Sequence, residues 1–216
     1  MDTTLALFSG IAWTLVYLDA IRLGFRDRTY AMPVVALALN IAWEATYAVQ
    51  AFSDRVSVQG VINVVWAVAD VVIVVTYLRF GRRELPAGVT RPLFAGWNVL
   101  VFGTGFAVQW LFLAHFGAHD GGRYSAFLQN LLMSGLFIAM FVNRGSLRGQ
   151  SLTIAVAKWL GTLAPTILFG ALDHNPFILG IGLLCGAFDL VYIGLIVAAM
   201  RRPMAVTAPA LAAQGT

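Results

Sequence analysis

The sequence predicts an all-α membrane protein, a bundle of seven transmembrane helices with the N-terminus outside and the C-terminus in the cytoplasm. Hydrophobic residues make up 60% of the 216 positions and charged residues only 11%, whereas soluble domains carry roughly a quarter charged residues. The mean hydropathy is +0.81. Apolar runs take up nearly the whole chain, so we expect one membrane domain over residues 1–203 and a disordered tail over residues 204–216.

Seven segments reach the length of about 20 apolar residues that a membrane-spanning helix needs. In chain order they are Thr3–Ile21, Tyr30–Phe52, Val56–Leu78, Arg91–His115, Arg123–Val142, Leu147–Ala171 and Pro176–Met200. The first segment has no basic stretch before it, so no cleavable signal peptide is apparent.

Charges and turn-forming residues separate these segments. They stand at Asp27–Arg28, Ser53–Arg55, Gly81–Pro86, His119–Gly122 and Asp173–Pro176. Such clusters end an apolar helix and reverse the chain. The connections are short, so no soluble domain fits between the segments.

The basic residues lie mainly on alternate flanks of the segments. One set of flanks holds Arg22, Arg26, Arg28, Arg79, Arg82, Arg83, Arg91, Arg144, Arg148, Arg201 and Arg202. The other set holds Arg55 and Arg123. Because positive flanks stay in the cytoplasm, this asymmetry predicts the orientation given above. The high pI is then a sign of topology and contact with membrane lipids, and we expect no nucleic-acid partner.

Four ionisable residues fall inside the predicted helices: Glu44, Asp70, Lys158 and Asp189. Measured from the cytoplasmic ends of their segments, Asp70 and Lys158 lie about 15 Å deep, Asp189 about 16 Å and Glu44 about 21 Å. All four depths fall in the central part of a hydrocarbon core about 30 Å thick. Charged groups at this depth usually face the bundle interior and mark a functional site. We therefore expect one interior cavity that these side chains share.

Helical spacing places amides and aromatic rings on the same faces as the acids. The candidate substrate-binding residues are Asn40, Trp43, Tyr47, Asn63, Trp66, Trp97, Asn98, Gln129 and Tyr192. A single lysine faces three carboxylic acids, and Asp70 with Lys158 is a natural ion pair. At least one remaining carboxyl is then expected to stay protonated, because burial disfavours its charged form.

Metal-dependent and nucleophilic chemistries find little support. Diphosphate-handling terpene synthases need clustered aspartates such as D-D-x-x-D to hold magnesium, and the sequence has no such cluster. His115 and His119 are better explained by a solvated loop than by a zinc site, and Cys185 by packing than by a reactive thiol. We expect no metal and no cofactor.

Two short motifs carry a resemblance to a known family. Glu44 ends the motif Asn40-Ile41-Ala42-Trp43-Glu44, and Asp189 lies in Phe188-Asp189-Leu190-Val191-Tyr192. Together with the length and the helix number, these motifs resemble the integral-membrane, paxilline-type terpene cyclases of meroterpenoid and indole-terpenoid pathways. The resemblance implies a class II cyclisation, in which a proton starts the cascade without loss of diphosphate. The family's two essential acids map onto Glu44 and Asp189, and Asp70 is a weaker match.

The resemblance also implies a substrate. We expect a prenylated small molecule, a farnesylated indole or a meroterpenoid, whose terminal alkene or epoxide is protonated by a buried acid. Glu44 and Asp189 would form a coupled pair in which one acid donates and the other tunes it. All but one of the 14 basic residues are arginine, which favours a GC-rich genome and hence a multi-pass protein of a bacterial cytoplasmic membrane.

Two other functions are compatible with seven apolar helices that bury acids. A proton-coupled small-molecule transporter would use the acids as a proton relay. A retinal-binding protein would need a lysine on its last helix, whereas Lys158 lies on the sixth predicted segment. The sequence leaves the oligomeric state open.

Overall fold

The computed structural model describes residues 3–54 and 58–201, and every regular element in these ranges is helical. The α-helices are α1 (Thr3–Arg26), α2 (Val34–Asp54), α3 (Val58–Phe80), α4 (Arg91–Arg144), α5 (Leu152–Pro165) and α6 (Pro176–Arg201). A 3-10 helix, Gly81–Glu84, follows α3, and a π-helical segment, Thr166–Leu172, continues α5. The predicted tail, residues 204–216, lies outside the described residues, as do Arg55 and Arg202.

Six helices of the described residues are long and apolar enough to cross a membrane, where the sequence predicts seven. The difference lies in α4, which contains both predicted segments Arg91–His115 and Arg123–Val142. Gly117 interrupts α4 with non-helical angles, φ 74° and ψ 176°. Glycine alone adopts that region readily, because it has no Cβ.

The two arms of α4 lie side by side. In a straight helix, Gln109 and Gln129 would stand about 30 Å apart, yet Nε2 of Gln109 donates a hydrogen bond of 2.8 Å to Oε1 of Gln129. A Cβ on Gly121 would lie 2.6 Å from the carbonyl oxygen of Phe112. The helix therefore folds back on itself at Gly117.

The helices pack as a bundle around one apolar core. Helix α2 contacts α3 and α4, α1 contacts α3 and α5, and α6 contacts α4 and α5. Large apolar side chains such as Val99 and Trp110 are exposed on the outside. An apolar outer surface is what hydrocarbon chains of a bilayer would cover.

One end of the bundle is closed by Arg148, which lies between α4 and α5. Its side chain forms an ion pair with Glu84 and donates hydrogen bonds to the carbonyl oxygens of Asp27 (3.2 Å) and Arg28 (3.5 Å). Side-chain caps begin the adjoining helices: Ser151 accepts from the backbone N–H of Ile154 at 3.0 Å. The opposite end holds the first turn of α1, the Gly117 reversal and the turn before α6.

Candidate functional site

A cavity of about 580 Å³ opens at the end of the bundle opposite Arg148. It follows α1 from Leu5 to Tyr17, a distance of about 18 Å by the helical rise. Helices α1, α2, α3, the second arm of α4 and α5 line it together with the π-helical segment. His119 is exposed at the mouth, whereas Tyr17 and Glu44 are buried at the floor. A ligand that reached the floor of this cavity would contact buried side chains.

Glu44 lies at the floor in a chain of hydrogen bonds that joins it to Asp70. The hydroxyl of Tyr17 donates to Oε1 of Glu44 at 3.2 Å. Nδ2 of Asn40 donates to the Tyr17 hydroxyl at 2.6 Å and to Oδ2 of Asp70 at 2.8 Å. Within the described residues, Oε2 of Glu44 and Oδ1 of Asp70 have no hydrogen-bond partner. Two carboxyls are thus linked through neutral groups, and one carboxyl oxygen of Glu44 is left without a protein partner.

The helical pattern explains how these groups meet. Asn40 and Glu44 are four residues apart on one face of α2, as their spacing predicts. Asp70 comes from α3 and does not line the cavity itself. It lies on the side of Asn40 away from the cavity and accepts a hydrogen bond from the Asn40 amide. Tyr17 comes from α1 and was not among the predicted residues; the only signal for it in the sequence is a phenol inside an apolar segment.

Aromatic rings surround the floor. The predicted residues Trp43, Tyr47 and Trp66 line the cavity, as do Trp13 and Phe127, which the sequence did not single out. Trp66 stacks on Tyr17 with the ring centroids 5.9 Å apart. Nε1 of Trp43 donates to the carbonyl oxygen of Gly122 at 2.9 Å, which fixes that ring against the second arm of α4.

Lys158 pairs with Asp189, and the predicted ion pair between Asp70 and Lys158 is wrong. Nζ of Lys158 donates to Oδ1 of Asp189 at 2.7 Å and to the hydroxyl of Ser134 at 2.6 Å, and all three side chains are buried. The reason is packing: α5 contacts α1 and α6, whereas α3 packs on α1 and α2. Asp70 and Asp189 have nearly the same depth estimated from the sequence, so depth alone could not show which of them pairs with Lys158.

Asp189 does not line the cavity, so the structure does not bring it together with Glu44 in one hydrogen-bonded group. The carboxyl that joins the Glu44 group is Asp70. The catalytic assignments of Glu44, Asp70 and Asp189 all remain predictions.

The predicted substrate-binding residues divide into two groups. Asn40, Trp43, Tyr47, Asn63, Trp66 and Gln129 line the cavity. Trp97, Asn98 and Tyr192 do not. Asn98 donates to the carbonyl oxygen of Phe94 in its own helix at 2.8 Å, and the Tyr192 hydroxyl donates to Oε1 of Gln150 at 3.1 Å. Helical spacing shows which residues share a face, and it does not show which neighbour that face meets.

A second cavity, of about 530 Å³, lies between α2 and the two arms of α4. Trp97, Leu100 and Leu132 belong to its largely apolar lining. Gln129 borders both cavities, and Gln109 holds it from the other side. This cavity explains where Trp97 lies, and its lining contains no carboxylic acid.

The mouth of the first cavity carries an arginine. The guanidinium carbon of Arg123 lies 4.2 Å from the ring centroid of Phe169, and its Nη1 lies 3.3 Å from Oδ2 of Asp173. From the sequence, Arg123 is expected only to be a charge that flanks a membrane helix. Its place directly after the predicted turn His119–Gly122 is the signal that could have assigned it to the cavity. In the described part of the chain, no three His, Cys, Asp or Glu side chains form a set of metal ligands.

Comparisons with known proteins agree on one family. Residues 1–171 match the sequence model of the Pyr4-like transmembrane terpene cyclases. The Pyr4-family terpene cyclase mfmH of Annulohypoxylon moriforme is 31% identical over 76% of this chain and 68% of its own length. Terpene cyclase pyr4 of Aspergillus fumigatus is 28% identical over 87% of this chain and 82% of its own length. Asnovolin H synthase nvfL of Aspergillus novofumigatus is 25% identical over 74% and 66%. No solved structure matches the chain.

Proposed function

The chain belongs to the Pyr4-like transmembrane terpene cyclases, and we propose that it cyclises a prenylated small molecule by transferring a proton from Glu44 to the end of the prenyl chain. The family and the apolar helices make it a multi-pass membrane protein. The relatives named above are fungal, so they give no support to the expected bacterial membrane. The observation that carries the proposal is the burial of Glu44, a residue only 3% exposed, at the floor of a cavity lined by aromatic rings.

The proposed step conserves atoms and electrons. The O–H bond of Glu44 breaks, and the electron pair of the terminal alkene forms a C–H bond, which leaves a tertiary carbocation and a carboxylate. With a terminal epoxide, the proton goes to the oxygen as a C–O bond opens. Neighbouring double bonds then close the rings, and a C–H proton beside the last cation returns to the carboxylate. Overall the reaction is an isomerisation.

The surroundings of Glu44 favour its neutral form. The hydrogen-bonded group that contains it holds a second carboxyl, Asp70, and no cation. Two carboxyls linked at short range in a site with little water do not both ionise readily. A neutral carboxyl whose second oxygen has no protein partner can donate its proton to a ligand.

Aromatic faces supply the stabilisation that a carbocation needs. Each cation–π contact contributes about 0.5–2 kcal/mol, and an aromatic face does not attack the cation as a nucleophile would. We propose Trp13, Trp43 and Trp66 for this role, since all three line the cavity. The cavity walls also exclude water, which would otherwise end the cascade early.

For Asp189 we propose a positioning role through Lys158. A buried ammonium requires a partner, and Asp189 supplies it at 2.7 Å. Lys158 stands one helical turn from Thr162, which lines the cavity, and Ser134 stands one turn from Asn130, which also lines it. The ion pair therefore supports the cavity wall from behind. The coupled acid pair of Glu44 and Asp189 is the alternative.

The two arms of α4 bear on the topology of the chain. We propose that each arm of α4 crosses the membrane separately, which gives seven spans, with the N-terminus outside and the Arg148 end in the cytoplasm. Supporting this, each arm exceeds the roughly 20 residues that one crossing needs, and the arms reverse at Gly117.

The function is tested by product analysis. Membranes that contain the protein are incubated with linear farnesylated phenols and indoles, with and without a terminal epoxide, in water and in D₂O. We expect a cyclic isomer, and an alkene-initiated product should carry deuterium at carbon. Recovery of only linear compounds would contradict the proposal. Uptake of a compound into sealed vesicles in response to a pH gradient, without any cyclic product, would favour the transporter.

A further inference from the structure

The cavity is polarised, with an acid at its floor and a cation at its mouth. Glu44 and Arg123 both line it, and Arg123 is the only arginine or lysine among its described lining residues. The side chain of Arg123 is 25% exposed and lines the cavity together with Phe169, the ring that it contacts. A prenylated molecule also has two unlike ends, an apolar chain and a polar head.

The two charged ends lie at different heights along the cavity. Gln129 reaches Asn40 through a 3.5 Å hydrogen bond, so these residues mark the floor. Arg123 is six residues before Gln129 on the second arm of α4, about 9 Å nearer the mouth than that floor. Glu44 is four residues after Asn40 on α2, about 6 Å nearer the mouth than the same floor, so the backbones at Arg123 and Glu44 differ in height by about 3 Å. Helical side chains lean towards the N-terminus of their helix, so Arg123 leans towards the mouth and Glu44 towards the floor. The prenyl chain would fill the space between them.

Arg123 has bonding capacity left for a ligand. Its recorded contacts are the Phe169 ring at 4.2 Å and a 3.3 Å ion pair with Asp173. Asp173 is 46% exposed, and exposed ion pairs contribute little to stability, so a ligand anion can compete for the guanidinium. The stacking on Phe169 holds the guanidinium plane in place, which suits binding to two oxygen atoms at once.

We propose that Arg123 binds an oxygen anion on the head of the prenylated substrate: a carboxylate, a phenolate or an enolate. This inference rests on the proposed function for the identity of the prenyl chain. It makes Arg123 the residue that decides which end of the molecule reaches Glu44. Of the two substrate types expected from the sequence, it favours a meroterpenoid with an acidic aromatic head over a neutral farnesylated indole.

The test is binding, measured apart from turnover. A farnesylated hydroxybenzoic acid and its methyl ester share one chain and differ in head charge, so their affinities are compared in detergent by quenching of tryptophan fluorescence. The Glu44→Gln variant is included, since we expect it to bind the probes without reacting. We expect the wild type and Glu44→Gln to bind the acid at least about tenfold more tightly than the ester. Equal affinities, or no binding of either probe, would overturn the inference while leaving the cyclase proposal to its own test.

Three variants separate ligand binding from a structural ion pair. Arg123→Gln should remove the preference for the acid and leave ester binding within about twofold. Arg82→Gln, an exposed arginine outside the cavity lining, is the charge-matched control and should change neither affinity. Asp173→Asn should keep or strengthen acid binding, because it frees the guanidinium. If Asp173→Asn loses the preference as Arg123→Gln does, Arg123 acts only through its ion pair and the inference fails.

Discussion

The hydroxyl of Tyr17 lies between the amide of Asn40 and the carboxyl of Glu44. The ring of the same residue stacks on Trp66. A single phenol therefore orients the proposed acid and faces the proposed cation surface. This double placement makes the hydroxyl, more than the ring, the group whose removal should affect catalysis.

Tyr17→Phe keeps the ring and removes the hydrogen bond to Glu44. We expect kcat to fall about tenfold with KM nearly unchanged, since one buried hydrogen bond contributes about 1 kcal/mol or somewhat more. Steady-state kinetics on a linear prenylated phenol measure this. Tyr124→Phe, which does not line the cavity, is the control. An unchanged kcat would mean that Tyr17 does not orient the acid.

The ion pair of Lys158 and Asp189 allows a separation of structure from chemistry. Asp189→Asn leaves a buried ammonium without a counter-charge, which costs about 3–5 kcal/mol, so we expect poor folding. The double variant Lys158→Met with Asp189→Asn removes both charges and should restore folded protein and most of the cyclisation. Thermal unfolding and product yield are the readouts. A well-folded double variant without activity would support the coupled pair of Glu44 and Asp189 instead.

At the scale of elements, the reversal in α4 depends on one backbone position. Gly117→Ala places a Cβ at φ 74°, ψ 176°, a region that costs other residues about 1–3 kcal/mol. We expect a lower Tm in detergent. Gly135→Ala is the matched control, because it lies in the same helix with nothing within 4 Å of an added Cβ. Equal Tm values for the two variants would show that the reversal tolerates a side chain.

The closed end of the bundle should respond to acid. Partial burial acts to raise the pKa of Asp27, but hydrogen bonds from the Arg26 side chain and the Gly149 backbone N–H hold the pKa below its usual range. The stabilisation is therefore complete above the unfolded pKa of about 3.9 and is lost as the pH falls through the lower folded pKa. Asp27→Asn should flatten this acid-side loss in a plot of Tm against pH. A slope identical to that of the wild type would contradict the assignment.

The sequence predicted some features of the helices and the site correctly and others wrongly. Apolar length located the membrane helices, and the four-residue spacing placed Asn40 and Glu44 on one face that lines the cavity. Periodicity is a property of one helix, so it could not tell that Lys158 would meet Asp189 in place of Asp70. For the same reason it assigned Trp97 to the cavity shared with Glu44, whereas Trp97 lines the second cavity.

Tyr17 and Arg123 were not predicted as site residues, and the reason is again that the sequence does not show which helices meet. Tyr17 looked like any aromatic residue of an apolar segment, and Arg123 looked like a flank charge. Both gain their roles from neighbours distant in the chain: Glu44 for Tyr17, and Asp173 with Phe169 for Arg123. Only tertiary packing supplies such information.

At the scale of the whole molecule, the bundle is closed at the Arg148 end and open at the Gly117 end. Which end faces the cytoplasm stays a prediction, made from the arginine-rich flanks. A substrate would then enter the cavity from the outer or lumenal leaflet, chain first, with its head left near the mouth.

Cysteine labelling tests the topology. The single native cysteine, Cys185, is buried, so its background labelling should be low. An impermeant maleimide should label Asp120→Cys on intact cells, and label Arg83→Cys and Ser146→Cys only after permeabilisation. That pattern requires both arms of α4 to cross the membrane. Labelling of all three on the same side would contradict the seven-span arrangement.

The central claim is that Glu44 supplies the proton that starts cyclisation. Its most direct test is the Glu44→Gln variant, purified, shown to be folded by thermal unfolding, and shown to bind a linear prenylated phenol as tightly as the wild type does. Product formation is then measured by mass spectrometry. We expect a fall of at least about 10³-fold in cyclic product, because an amide of nearly the same shape has no acidic proton to give. Cyclic product formed by this variant at a rate near that of the wild type would contradict the account.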